Sequence, residues 1–234
     1  IGPDSAIGNV FDFQEAATGD FDNDGQQDLL VGDRDGDLIV YEAAGDDHIE
    51  VAWTQENDRL YAGTRFATGD FTGTGRTDFV TLTTSQLTAA PDAERAPPIS
   101  YYTVWRNEGD DDYARAYRLP LYGSFTLKGG LAPGSLGAAD VDNDGRDEVV
   151  VAHPPSLMVL DRAADGTWRV RYEDRPSPVL SRSLLVADVS GSGTPSVFSG
   201  TKNGRLLRYT VDGQAVAVPP PQWVEALPEG DSSS

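Results

Sequence analysis

Four segments of the chain repeat one pattern, and that repetition restricts the fold more than any other feature. Each has small residues, an aspartate, an apolar residue, a glycine-containing loop of acids or hydroxyls, and then an apolar run. They are Ala16-Ala-Thr-Gly-Asp20-Phe-Asp-Asn-Asp-Gly25-Gln-Gln-Asp28, Phe66-Ala-Thr-Gly-Asp70-Phe-Thr-Gly-Thr-Gly75-Arg-Thr-Asp78, Gly137-Ala-Ala-Asp140-Val-Asp-Asn-Asp-Gly145-Arg-Asp-Glu148, and Leu185-Val-Ala-Asp188-Val-Ser-Gly-Ser-Gly193-Thr-Pro-Ser196. The leading aspartates stand 50, 70 and 48 positions apart. A period near fifty with several strands per unit is that of a propeller blade. The expected fold is all-β: a β-propeller of four recognisable four-stranded antiparallel blades, either a closed four-bladed ring or part of a larger propeller. Strands this short cannot stand alone, and stacked blades bury their shared faces.

The blades are expected over roughly 14–57, 64–119, 134–174 and 182–218, with the repeats filling 1–218 and a Pro- and Ser-rich tail or linker over 219–234. Innermost strands are small-residue runs, at Glu15–Thr18, Arg65–Thr68, Leu136–Ala139 and Leu184–Ala187. The outermost strands are read at Ile49–Gln55, Tyr113–Leu119, Trp168–Glu173 and roughly Gln214–Val218. Asp35-Gly36 is a two-residue hairpin signal. Thr83 to Ser100 and Leu119 to Leu136 are read as long connections of the kind that carry recognition or are tolerated insertions. Ile7, Val10, Phe11 and Phe13 supply enough apolar residues before the first unit for a strand that could complete the fourth blade.

Asp20-x-Asp22-x-Asp24-Gly25-x-x-Asp28 has the logic of an EF-hand loop without its helices. Calcium takes six to eight oxygens, from carboxylates at positions 1, 3 and 5, a backbone carbonyl at 7 and a further ligand at 9, around a turn made by glycine at 6. The expected ligands are therefore Asp20, Asp22, Asp24, the Gln26 carbonyl and Asp28. The third unit supplies Asp140, Asp142, Asp144, the Arg146 carbonyl and Glu148. The second loop replaces positions 3 and 5 with Thr72 and Thr74, and the fourth keeps only Asp188. Their hydroxyls are expected to hydrogen-bond the turn itself, with weak binding at most in the second loop and none in the fourth.

The phrases Thr-Gly-Asp-Phe-Asp-Asn-Asp-Gly and Ala-Asp-Val-Asp-Asn-Asp-Gly, with Arg106-Asn-Glu-Gly-Asp110 after a third strand, resemble FG-GAP/VCBS repeats. These occur in integrin α-subunit propellers and in many bacterial secreted proteins. The resemblance runs from Glu15 to about Val218 and implies a calcium-bearing propeller. It does not choose among adhesion modules, lectin-like domains and non-catalytic partners of enzymes. Integrin-type propellers have about seven blades, against the four counted here.

Formal net charge is −20, from 38 acids and 18 bases. Such a surface repels phosphate backbones and anionic lipid, which argues against nucleic-acid binding and electrostatic membrane attachment. No run of 18 apolar residues occurs, so no membrane insertion by a helix is expected. Cysteine is absent, which excludes disulfides and thiolate chemistry. The chain opens at Ile1 without a basic and then apolar leader, and reads as a processed or trimmed form. The only histidines, His48 and His153, are both read as exposed loop residues. No serine sits in a nucleophile elbow, and the paired carboxylates are better explained by calcium than by glycoside hydrolysis. The expectation is a non-catalytic, calcium-binding recognition or adhesion module for a protein or glycan, placed as secreted, periplasmic or cell-surface. The alternatives are a scaffold subunit of an envelope or extracellular assembly, assembling with further blades or a partner, and a carbohydrate-active enzyme.

Overall fold

The small-residue runs, apolar runs and glycine turns of each repeat fold into antiparallel strands, because alternation and turn chemistry agree along every unit. A computed structural model describes residues 13, 15–33, 36–45, 48–56, 65–85, 99–109, 112–122, 126–127, 130–131, 134–153, 156–174, 180–201, 206–210 and 222–224. They form four four-stranded antiparallel sheets, each with its strands in chain order. The first is β1 (Glu15–Gly19), β2 (Asp28–Gly32), β3 (Leu38–Ala43) and β4 (Ile49–Gln55). The second is β5 (Arg65–Gly69), β6 (Asp78–Ser85), β7 (Ile99–Gly109) and β8 (Asp112–Tyr122). After a small hairpin, β9 (Thr126–Leu127) and β10 (Gly130–Leu131), come β11 (Ser135–Ala139), β12 (Glu148–His153), β13 (Ser156–Arg162) and β14 (Trp168–Asp174). The fourth sheet is β15 (Leu180–Ala187), β16 (Ser196–Thr201), β17 (Leu206–Thr210) and β18 (Gln222–Val224).

Two expectations change. The connection between the second and third units holds the β9–β10 hairpin. The outer strand of the fourth sheet is Gln222–Val224, paired with β17 through Leu207↔Trp223, and so lies in the stretch read as tail. The segment 214–218, and all of residues 1–12, lie outside the described residues, as does any strand they would add to the fourth sheet.

The chain divides into two units, Ile1–Thr68 with Arg76–Pro133, and Gly69–Gly75 with Gly134–Ser234. In each, the middle strands are buried on both faces and so are nearly continuous apolar runs: Leu30 and Val40 in the first unit, Val149, Val150, Val151 and Leu160 in the second. Within each unit the innermost strands of its two sheets approach one another. The Phe66 N–H donates to the Glu15 carboxylate at 3.2 Å, and a Cβ on Gly137 would come within 2.7 Å of Val186. Three outer strands carry a bulge at the same place, where the register steps at Val40/Tyr41, Val104/Trp105 and Val159/Leu160. It leaves Ala52, Ala116 and Arg171 unpaired in the ladder.

The core of the second unit packs Val141, Val150, Val159, Val197, Leu207 and Tyr209. That of the first is aromatic: Phe79 lies 6.1 Å from Phe21, 6.0 Å from Trp53, 6.0 Å from Trp105 and 5.3 Å from Tyr113 between ring centroids. Fully buried and touching four rings, Phe79 holds this core together. Phe79→Ala is expected to cost about 3–5 kcal/mol, measured as a lower urea midpoint at unchanged slope. An unmoved midpoint would show that the rings close over the gap.

Candidate metal centre

All four repeat loops have the same backbone, and it is set by three positions. The carboxylate at position 1 accepts the N–H of the glycine at position 6 in every loop: Asp20 from Gly25 at 3.1 Å, Asp70 from Gly75 at 2.7 Å, Asp140 from Gly145 at 2.9 Å and Asp188 from Gly193 at 2.6 Å. Position 6 is left-handed throughout, with φ of 88°, 75°, 87° and 82°. So is position 4, filled by Asn23, Gly73, Asn143 and Gly191. Glycine and asparagine are the residues that tolerate this conformation.

In the first loop Asp20, Asp22 and Asp28 each bring one carboxylate oxygen within 4.8 Å of the others, and in the third Asp140, Asp142 and Glu148 do the same. These are the two such groups among the described residues. Asp28 and Glu148 open the second strand of their sheets and are buried. Each returns one oxygen to the loop, Asp28 to the Phe21 N–H at 2.6 Å and Glu148 to the Val141 N–H at 2.8 Å. The Asp20 Oδ1 is buried and has no hydrogen-bond partner. A desolvated carboxylate oxygen left without a donor is what a cation would take up, so the residues fit an oxygen-seeking divalent ion.

The structure does not bring Asp24 and Asp144 into these groups. Asp24 accepts the Gln26 N–H at 2.7 Å and its side-chain amide. Asp144 accepts the Arg146 N–H at 3.0 Å and pairs with its guanidinium. Positions 5 and 7 therefore face each other, and Gln26 and Arg146 are engaged through N–H and side chain with their own loop.

A residue that the sequence did not flag also reaches the third loop. Arg171, from the β14 bulge, pairs with Asp142 and stands 3.6 Å from Asp161. The first sheet has Ala52 at the equivalent bulge. The signal is a register position, invisible until the outer strands are paired. The other two loops close with backbone N–H groups in the second and with N–H groups and hydroxyls in the fourth. Asp70 also accepts from Gly73 and Thr74 at 2.7 and 2.9 Å. In the fourth loop Ser190 Oγ donates to Asp188 at 2.9 Å and lies 2.8 Å from Ser192 Oγ. Of the histidines, His48 is exposed, whereas His153 is half-buried at the end of β12, and burial lowers its pKa. The expectation of an exposed loop residue does not hold for His153.

Residues 20–81 match the family model for the FG-GAP-like repeat. The matched segment is similar to that repeat. It contains the first loop, strands β2 to β5, and the loop of the second sheet. No curated protein matches the chain in sequence. Among solved structures, the rhamnogalacturonan lyase YesW is similar at a TM-score of 0.55 and 14% identity, over 92% of this chain and 49% of that one. The exotype rhamnogalacturonan lyase YesX is similar at 0.53 and 16%, over 92% and 47%. The chain thus spans about half the length of these structures, and the likeness is one of fold.

Without metal, Glu148 should report on its own loop. Burial, then the charges of Asp142, Asp144 and Asp140, push its pKa up to about 8, against the Val141 N–H that lowers it. The folded, metal-free chain then keeps a proton that the unfolded chain releases near 4.5. Stability from this group is fully present below that pH and is lost as pH rises toward 8. The melting temperature of metal-stripped protein is expected to fall between pH 5 and pH 8. In Glu148→Gln, which cannot ionise, that part of the fall should vanish; an unchanged slope would remove Glu148 as its source.

Proposed function

We propose that the chain is a calcium-stabilised β-propeller module that recognises a protein or glycan and is not itself an enzyme. The observation that carries the reading is the first loop, with three carboxylates converging and a buried Asp20 oxygen left without a donor. Four like sheets in chain order, with neighbouring innermost strands, support the propeller. The converging acids are each tied to N–H groups of their own loop. That geometry suits a fixed cation better than proton transfer to a substrate. A few carboxylates on a surface loop give the modest affinity of extracellular calcium modules, near 10⁻⁴–10⁻³ M, which fits an exported protein. The lyase names belong to the similar structures.

Loops one and three should differ. The third already holds Arg171 on Asp142 and Arg146 on Asp144, so calcium there competes with the chain's own cations. Calorimetry on metal-stripped protein is expected to resolve a tighter and a weaker site. Asp22→Asn should remove the first and Asp142→Asn the second, while Asp24→Ala should weaken the first site least. At about 100 times the dissociation constant, calcium should add ~2.7 kcal/mol per site to stability. No heat and no shift in melting temperature at millimolar calcium would sink the proposal.

A further inference from the structure

The second sheet departs from the first and third at one row of cross-strand partners. In the first sheet the row is Val31, Ile39 and Thr54; in the third it is Val151, Met158 and Glu173. In the second it is Thr81, Thr103 and Arg118. Thr81 and Thr103 are 1% and 4% exposed, so two hydroxyls are buried where the sister sheets bury aliphatic side chains. Exchanging valine for threonine is not neutral in a core, since the hydroxyl must find partners. The Trp105 indole N–H donates to Thr81 Oγ1 at 3.2 Å, which supplies one. The architecture does not require the row, because two sheets of the same design do without it.

The row opens on a cavity of about 310 Å³ within the first unit, which Thr83, Gln55 of the first sheet, and Arg115 also line. Buried Trp105 and Tyr113 give it ring surface. This is the small end of the range for ligand sites. The chain carries 38 acids against 18 bases, yet among the described residues no carboxylate lines this cavity and two guanidinium groups do. Arg118 is held by stacking over the Tyr101 ring, 3.9 Å from its centroid. Neither Arg115 nor Arg118 is in an ion pair among the described residues. Both residues are exposed, and partial burial and then the nearby Arg115 charge lower the Arg118 pKa against Tyr101, which raises it. Two cations kept near each other without an anion are a site for one, and a guanidinium fork matches a carboxylate. Threonine hydroxyls and a glutamine amide both donate and accept, which suits a ring carrying hydroxyl groups. An inorganic oxyanion would leave those acceptors unused.

We propose that this cavity binds one uronate residue of an acidic saccharide, its carboxylate on Arg115 and Arg118 and its ring hydroxyls on Thr81, Thr83, Thr103 and Gln55. The inference deepens the recognition reading above and rests on it. The net charge of the chain does not prevent this, since exposed charge is screened beyond about 8 Å at physiological ionic strength.

The test is calorimetry on the full chain in saturating calcium, with a uronic acid oligosaccharide, its methyl ester and sodium sulfate as titrants. The acid is expected to bind, and the ester, which keeps the ring and loses the charge, to bind about tenfold more weakly or worse. Arg118→Ala should weaken acid binding by a similar factor. So should Thr103→Val, which keeps the shape of the side chain, and both should leave the calcium-induced melting shift in place. Equal binding of acid and ester, sulfate binding as well as the acid, or no binding at millimolar saccharide would each overturn the assignment. An intact melting shift beside any of these would overturn the cavity alone. Absence of that shift beside selective uronate binding would overturn only the calcium reading.

Discussion

The rest of the structure depends on one hydrogen bond, the aspartate at the head of each repeat accepting the N–H of a left-handed glycine five residues on. It closes a nine-residue loop tightly enough for the innermost strand to run back against its neighbour, which fixes register in a strand too short to find it alone. Hydrogen bonds to a charged acceptor are worth roughly 1.5–3 kcal/mol. The same bond is present in loops with and without converging carboxylates. The loop is therefore closed by its own residues, and a cation would be added to a turn already made. This explains why Asp188 survives in a fourth loop that has lost every other acid of the pattern.

A second constraint acts at position 8. A Cβ on Gly19 would come within 2.9 Å of Thr77, and one on Gly69 within 2.5 Å of the Asp147 carboxylate. The glycine before the leading aspartate is thus small because the next loop presses on it. In the second unit the contact is reciprocal. Asp70 N–H donates to the Asp147 carboxylate at 2.9 Å, and Asp147 N–H to the Asp70 carbonyl at 3.1 Å. The fourth loop has Pro195 at this position, which has no N–H to give, and the third repeat correspondingly tolerates Ala139 where the first two need glycine.

The strands were legible because each repeat carries its own punctuation, with small residues, glycine turns and apolar runs agreeing at every level. Loops 20–28 and 140–148 were legible as acidic centres for the same reason. What escaped is what depends on pairing between strands. Arg171 gains meaning only once the β13–β14 register leaves it at a bulge facing Asp142. The Thr81–Thr103–Arg118 row exists only across three strands. Asp24 and Asp144 are expected as ligands from loop position, and each accepts the N–H of position 7. The strand β18 lies in a stretch that its prolines and serines mark as tail.

The four loops can be understood as three answers to one electrostatic problem. A turn that gathers carboxylates repels itself unless the charge is met. The first loop meets it with nothing of its own beyond N–H groups, and the buried Asp20 oxygen marks the deficit. The third has the same acids but brings Arg171 and Arg146 to two of them, so part of the neutralisation is built in. The second and fourth replace the acids at positions 3 and 5 with hydroxyl residues, which meet one another or the leading aspartate. The backbone is common to all, because the leading aspartate and the left-handed positions 4 and 6 do not change. The side chains at positions 3, 5 and 9 then set how much carboxylate charge each loop gathers. Graded in this way, the four loops share one turn and leave the unmet carboxylate oxygen in the first.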